Sequence, residues 1–291
     1  MIKGYIFAIL SAIIYGCMPL MAKYIYADGV NPFTLVFLRN LFSVLPLAIL
    51  AYREKKTLKI EKGLIPTVSI ISLMGCCVTP ILLFSSYRFI ESGTATVFHF
   101  AYPAIVIVGE ILFMKKKAPT YNVISVFLCI LGISLFYSPQ QSLSLTGSVL
   151  ALSSGFTFAI YVIILSNFDN SRLSGFLFSF YVTLISSISM LLICIITNSL
   201  TLPSTIQGWG LCVLFSLLVT TCAVVLFQQS TFLIGGQRSS ILSTLEPITS
   251  IIVGVIVLKE LLGIRVIIGS VLVISASVLT AVLDLKKNKK A

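Results

Sequence analysis

The sequence predicts an all-α integral membrane protein with ten transmembrane helices in two inverted five-helix repeats around a central cavity. Composition is the first observation behind this prediction. The chain is 58% hydrophobic and only 10% charged, with a mean hydropathy of +1.09, which leaves too little polar surface for a soluble fold. The second is that apolar runs of about 20 residues recur along the whole chain. The third is that its two halves resemble each other.

Each apolar run is long enough to cross the hydrocarbon core as a helix. Lipid offers the backbone no hydrogen-bonding partner, so a spanning segment must be a helix or part of a closed barrel. These runs lack the alternating polarity of barrel strands, and the short loops between them leave no room for a soluble domain. The ten predicted spans cover roughly residues 4–26, 32–52, 65–87, 94–114, 120–138, 148–167, 175–197, 209–233, 239–258 and 264–283.

The net charge of +11 is concentrated in the loops on one side of these spans. The positive-inside rule therefore predicts a multi-pass protein of the cell (inner or plasma) membrane with both termini in the cytoplasm. Residues 286–291 form a basic cytoplasmic tail in this topology. No basic stretch is interleaved with exposed aromatic residues, so the charge indicates no nucleic-acid partner. The predicted cytoplasmic basic residues are Lys3, those of the 53–62 loop, Lys115, Lys116, Lys117, Arg172, Arg238 and the lysines of the tail, whereas Lys23, Arg88, Lys259 and Arg265 fall outside.

An internal repeat divides the chain into 1–140 and 145–285, each with five predicted spans. Because five is odd, the second copy must enter the membrane from the opposite side, as in the inverted repeats of alternating-access transporters. The alternative is a relic of gene duplication in a protein with another role. At a shift of 143 residues, small residues spaced by four recur in the first span of each copy and predict close helix packing. These residues are Ala8, Ala12 and Gly16, and Ala151, Gly155 and Ala159.

Two segments carry a resemblance to a known family. The order of spans resembles that of the drug/metabolite transporter superfamily, EamA type. The same resemblance is carried by the arginine of FLRNLFS (37–43) and by the segment LEPITSIIVGVIVLKELLGIRVIIGSVLVISASVLTAV (245–282). Glu246, Pro247 and Glu260 stand at positions where that family commonly has such residues, whereas the first repeat has Tyr102 and Lys116 in place of the two glutamates. The resemblance implies both ends cytoplasmic, a central cavity, export or exchange of small metabolites including amino acids, and no ATPase.

Polar residues within the predicted spans are expensive in lipid and are expected to face the interior. Arg39 could hold a substrate carboxylate, form a structural pair with Glu246 or a helix end, or cap a carbonyl, and Glu246 could instead carry a proton or bind a cationic group. His99 could be a proton carrier, a substrate contact or a satisfied interior histidine. The predicted cavity residues are Arg39, Asn40, His99, Tyr102, Gln228, Gln229, Ser243 and Glu246.

The leading functional hypothesis is a secondary transporter, an exporter or exchanger of small metabolites such as amino acids. The alternative within transport is a lipid or lipid-linked-sugar translocase. A membrane-embedded enzyme is disfavoured, because one histidine and scattered acidic residues provide poor catalytic material. Seven cysteines in apolar runs, without a C-x-x-C pair, indicate neither disulfides nor a metal site, and we expect no cofactor. The expected partners are a small-molecule substrate and the lipid bilayer, with the chain a monomer or homodimer.

Overall fold

The structure, a computed structural model, describes residues 1–90, 92–115, 118–135, 144–169, 173–258 and 263–288. Some residues used in the sequence analysis lie outside these ranges. They are Lys116, Lys117, Arg172, Lys259, Glu260 and the lysines at 289 and 290. Every regular element that the described residues form is helical. The α-helices are α1 (Ile2–Gly16), α2 (Met18–Ala27), α3 (Pro32–Lys55), α4 (Ile65–Ser72), α5 (Thr79–Ser86), α6 (Ser92–His99), α7 (Tyr102–Met114), α8 (Thr120–Ser134), α9 (Leu145–Ser166), α10 (Gly175–Ile196), α11 (Ile206–Phe215), α12 (Val225–Ile234), α13 (Gly236–Leu242), α14 (Leu245–Leu258) and α15 (Ile264–Asn288).

Helix length and hydropathy confirm a multi-pass membrane protein. Among the described residues, six helical segments are long and apolar enough to cross a bilayer. They coincide with predicted spans one, two, three, six, seven and eight. The fourth and fifth predicted spans hold the shorter apolar helices α7 and α8, and the ninth and tenth hold α14 and α15. The six long segments are Ile2–Ala27, Pro32–Glu54, Lys62–Ser86, Leu145–Ser166, Gly175–Ile196 and Ile206–Ile234.

The fourth and ninth predicted spans are each broken in two. One break lies at residues 100–101, between α6 and α7, and the other at 243–244, between α13 and α14. Each break precedes a proline, Pro103 or Pro247, by two or three residues. Proline lacks the N–H that an interior helical position needs, but it is tolerated in the first turn of a helix. Pro103 and Pro247 stand in the first turns of α7 and α14, so each of the two predicted spans forms two separate helices.

Two of the long segments contain an interior stretch of π-helix. We call these stretches π1 (Leu73–Val78), between α4 and α5, and π2 (Ser216–Val224), between α11 and α12. A shift of 144 residues places 73–78 on 217–222, so the two stretches occupy corresponding positions in the two halves. In a π-helix each backbone N–H donates to the carbonyl five residues earlier, instead of four as in an α-helix, so carbonyl groups lose their usual partners.

The most extensive helix contacts join the first half of the chain to the second. Helix α3 packs along α10, and α8 packs along α15. Helix α1 packs against α12 and α14, while α9 packs against α5, α6 and α7. The core therefore lies between the halves, where the broken helices meet the long helices α1 and α9.

At one end of the bundle, the 28–34 turn and the 199–205 segment are joined by seven hydrogen bonds that involve side chains. We call this region the turn contact. The Asn31 amide and the Thr34 hydroxyl both donate to the Ser199 carbonyl oxygen, at 2.5 and 3.1 Å. The Asn31 backbone N–H donates to Thr201 Oγ1 and the Thr201 N–H donates to Thr34 Oγ1, each at 2.9 Å. Further along, Asp28 accepts at Oδ2 from the Ser204 and Thr205 N–H groups and at its carbonyl from the Ser204 hydroxyl.

Candidate functional site

A cavity lies between the two halves, at the depth of the helix breaks. The space open to a water-sized sphere is about 50 Å³, enough for a few water molecules. Polar and aromatic side chains from both halves face it. The lining residues are Tyr15, Met18, Arg39, Gly75, Thr79, Pro80, Leu83, Phe84, His99, Tyr102, Phe158, Phe227, Ser243 and Glu246.

Arg39 brings a positive charge to this cavity from the middle of α3. The residue is only 3% exposed, and its guanidinium carbon lies 6.0 Å from the centre of the Phe84 ring. Arg39 Nε is buried without a hydrogen-bonding partner. No carboxylate pairs with Arg39 within the part of the chain that the structure describes. An intramembrane arginine costs about 2.5–3.5 kcal/mol on insertion scales, so the cavity holds a charge that a ligand can compensate.

Glu246 brings a carboxyl group to the same cavity from the start of α14, just after the break at 243–244. Its side chain is half-buried. No ion pair joins Glu246 to Arg39, although both are among the described residues, so the structural pair considered from the sequence is not formed here. The backbone at Glu246 is backed by Gly16 of α1, where an added Cβ would lie 2.9 Å from the Glu246 carbonyl oxygen and 2.5 Å from Thr249 Cβ.

An aromatic cluster packs at the cavity, and we define it as His99, Tyr102, Phe158, Tyr161 and Phe227. All of these except Tyr161 line the cavity. The Phe158 ring is central, with centroid distances of 4.7 Å to Tyr102, 5.4 Å to His99 and 5.5 Å to Phe227. Tyr161 lies 5.3 Å from Phe158. His99 is also held by Ser154, whose hydroxyl lies 2.9 Å from His99 Nδ1. The histidine therefore has a hydrogen-bonding partner inside the protein while its ring remains in the cavity wall.

The two broken helices meet at the cavity. The Tyr102 hydroxyl, at the start of α7, donates to the Ser240 carbonyl oxygen of α13 at 3.4 Å. Ser243, in the second break, donates to the Ser239 carbonyl oxygen at 2.8 Å and lines the cavity beside Glu246. Five of the eight residues predicted from the sequence thus share one cavity. They are Arg39, His99, Tyr102, Ser243 and Glu246.

Asn40, Gln228 and Gln229 lie outside this lining. Asn40 is fully buried, and its amide donates to the carbonyl oxygens of Val36 and Cys76, the latter in π1. Gln228 is also fully buried and accepts from the Ser179 hydroxyl of α10 at 2.6 Å. Gln229 packs against Gly175 at the start of α10. These amides connect helices rather than face the cavity.

The two small-residue stripes lie at close helix contacts. Ala8, Ala12, Ala151 and Ala159 are at most 1% exposed. Gly155 of α9 lies against the backbone at His99, where an added Cβ would stand 2.6 Å from the His99 carbonyl oxygen. The stripe of α1 thus meets α14 and the stripe of α9 meets the end of α6, which places each against one of the broken helices.

Sequence reasoning missed Thr79, Phe84, Phe158 and Phe227, all of which line the cavity. An aromatic residue in an apolar span carries no signal of its own, since packing into the core is its usual role. Only spacing could have singled out Phe158, which lies on α9 four residues after Ser154, the partner of His99.

The comparisons with known proteins agree with this architecture. The EamA-like transporter family model matches residues 2–138 and 145–282. A protein described as an uncharacterized transporter of Clostridium kluyveri is 20% identical over 99% of this chain and 95% of its own length. YicL of Salmonella typhimurium, described as an uncharacterized inner membrane transporter, is 22% identical over 99% of this chain and 98% of its own.

One crystal structure shares the fold, with a TM-score of 0.78 at 15% identity over 96% of this chain and 98% of that one. The two family matches follow the two halves predicted from the sequence and confirm the resemblance noted there. Both the family and the relatives' descriptions point to transport rather than to an enzyme. This chain therefore belongs to the EamA-like transporter family.

Proposed function

We propose that this protein is a secondary transporter that moves small zwitterionic metabolites, such as amino acids, by alternating access, as an exporter or exchanger. The observation that carries the proposal is that the Arg39 guanidinium and the Glu246 carboxyl group line one cavity without pairing with each other.

An amino acid complements these two charges. A carboxylate can accept two parallel hydrogen bonds from the planar Arg39 guanidinium, and an ammonium group can donate to the Glu246 carboxylate. A ligand with both groups would pair with the Arg39 guanidinium and the Glu246 carboxyl group at once. A ligand with only one charge would leave the other uncompensated, which is costly in a membrane interior.

The contact pattern supports an inverted repeat of five spans in each half. Helix α1 packs on α12 and α14, and α9, its counterpart, packs on α5 and α7. The remaining extensive pairs, α3 with α10 and α8 with α15, each join corresponding helices of the two halves. A pseudo-two-fold axis relating the halves would give two equivalent arrangements, one open to each side. With both termini cytoplasmic, the ten-span topology satisfies the positive-inside rule.

The cavity dimensions favour a mechanism in which the walls move. A space of about 50 Å³ is far below the roughly 300 Å³ at which small-molecule pockets begin. A rocking movement of one half against the other would widen the cavity on one side while the aromatic cluster closes the other.

The proposal is tested by transport in proteoliposomes, with a panel of ¹⁴C-labelled L-amino acids presented to the purified protein. We expect saturable uptake of at least one member. Removal of the guanidinium in Arg39→Ala should raise the apparent KM about 10- to 100-fold, because a hydrogen bond to a charged group contributes about 1.5–3 kcal/mol. Arg39→Lys should fall between the two, since lysine lacks the planar fork.

Arg88 and Glu54 provide matched controls, because both are exposed and lie outside the cavity. Arg88→Ala and Glu54→Gln change the net charge as Arg39→Ala and Glu246→Gln do, and we expect both to transport normally. Unchanged KM in well-folded Arg39→Ala and Glu246→Gln would refute the assignment of these two residues. Movement of a labelled lipid but of no amino acid would refute the substrate class.

A further inference from the structure

Two pairs of serine hydroxyls connect the halves of the protein beside the π-helical stretches. In the first pair, Ser216 at the start of π2 donates to the Arg39 carbonyl oxygen of α3 at 2.6 Å. Ser43 Oγ, one turn beyond Arg39, lies 2.6 Å from Ser216 Oγ and 3.0 Å from the Ser216 carbonyl oxygen. Thr221 of π2 donates to Ser43 Oγ at 3.0 Å.

The second pair repeats this geometry on the other side of the molecule. Ser72, immediately before π1, donates to the Val182 carbonyl oxygen of α10 at 2.7 Å. Ser186, one turn beyond Val182, lies 2.7 Å from Ser72 Oγ and 3.3 Å from the Ser72 carbonyl oxygen. A shift of 143 residues carries Ser43 to Ser186 and Arg39 to Val182, and a shift of 144 carries Ser72 to Ser216.

The two pairs differ in the residue whose carbonyl they hold. In the second pair it is an apolar valine, whereas in the first it is Arg39, the cation of the cavity. All four serines are at most 5% exposed. In such surroundings a released carbonyl oxygen has no water to replace the lost donor, so each contact resists displacement of its helix.

The Arg39 side chain has no carboxylate partner among the described residues, and its Nε has no hydrogen-bonding partner. Its neighbours are the Phe84 ring, 6.0 Å from the guanidinium carbon, and the Cys76 side chain of π1. With so few side-chain contacts, the location of the charge also depends on where the α3 backbone is held at Arg39. The Ser216 hydroxyl bonds the carbonyl of that same residue.

We infer that the Ser43–Ser216 contact positions the Arg39 guanidinium in the cavity and thereby sets the affinity for a substrate carboxylate, whereas the matching Ser72–Ser186 contact has only a structural role. The part that concerns substrate rests on the proposed function. Ser43 and Ser216 are then positioning residues, since neither lines the cavity.

The test compares Ser216→Ala with Ser72→Ala, which removes the same kind of hydroxyl from the corresponding place in the other half. Both should lower thermal stability to a similar extent. Only Ser216→Ala should raise the apparent KM for the best-transported member of the ¹⁴C-labelled amino acid panel, by about 3- to 10-fold, the effect of one net hydrogen bond. In the Arg39→Ala background, Ser216→Ala should add no further increase.

A second readout is independent of any substrate. Phenylglyoxal modifies guanidinium groups, and its rate at Arg39 can be followed by peptide mass spectrometry against exposed Arg53 as an internal reference. We expect a several-fold change of this rate in Ser216→Ala and none in Ser72→Ala. If Ser216→Ala folds poorly, Ser43→Ala should act in the same direction more weakly, and Ser216→Thr, which keeps the hydroxyl, should restore the wild-type values.

Equal KM values and equal Arg39 modification rates in Ser216→Ala and Ser72→Ala would overturn the inference. If the wild-type protein transports no amino acid while the modification rates still differ, the positioning of Arg39 stands and the substrate assignment fails. The two failures are thus distinguishable.

Discussion

Replacement of Gly155 by alanine tests how closely α9 packs against the break between α6 and α7. The added Cβ would lie 2.6 Å from the His99 carbonyl oxygen and 3.3 Å from the His99 carbonyl carbon. Ordinary contact begins at 3.4 Å, so α9 or the end of α6 must retreat by about 0.8 Å, a backbone shift of the kind that overpacking imposes. Overpacking of this kind typically costs about 1–3 kcal/mol.

Gly210→Ala is the matched control, because an added Cβ on α11 meets nothing within 4 Å. Alanine at either position gains the same intrinsic helix propensity, so the difference between the variants isolates the packing term. At about 2–4 °C per kcal/mol, we expect Gly155→Ala to melt about 2–12 °C below Gly210→Ala in detergent, with reduced transport. Equal melting temperatures and equal transport would show that the α9 contact at His99 is not close-packed.

Three further predictions follow from the cavity walls and the topology. Ser154→Ala should lower the melting temperature, since it leaves His99 Nδ1 buried without its partner at a cost of about 1–3 kcal/mol; an unchanged melting curve would refute this contact. Phe158→Ala should destabilise by less than the about 3–5 kcal/mol of a fully buried phenylalanine, because this side chain is half-buried, and should lower the selectivity of transport, measured by competition between unlabelled amino acids; intact selectivity in a folded variant would remove Phe158 from the substrate wall. A reporter active only in the cytoplasm, fused after Ala291, should be active, and activity of a periplasmic-type reporter there instead would reverse the orientation.

The positions of six long spans and of the most polar cavity residues could be predicted from the sequence. Hydropathy located them because lipid requires long apolar helices. Arg39, His99 and Glu246 stood out because charged and titratable groups in apolar spans are expensive unless they face an interior. Proline has a recognisable effect on a helix, and both broken spans are interrupted just before a proline, at 103 and 247.

Gln228 and Gln229 were predicted from their polarity in an apolar span, which does not tell which face of the helix they occupy. A regular 3.6-residue period predicts which face of a span looks inward, but π2 ends immediately before α12 and changes the phase of every later side chain. No residue type marks a π-helix, so the phase could not be followed from the sequence. The glutamines accordingly face α10 instead of the cavity. Asn40 differs from Arg39 by one helical step, which is enough to direct it to π1.

The turn contact between the 28–34 turn and the 199–205 segment restricts how the two halves can separate. At a net value of about 0.5–1.5 kcal/mol per hydrogen bond, simultaneous loss of its seven bonds would cost about 3–10 kcal/mol. Helices α3 and α10, which start and end beside it, also share the most extensive interface among the described helices. If the halves rock against each other as proposed, this edge would serve as the fulcrum. The broken helices on its far side would then move while α3 and α10 stay together, and a transported solute would pass on that far side.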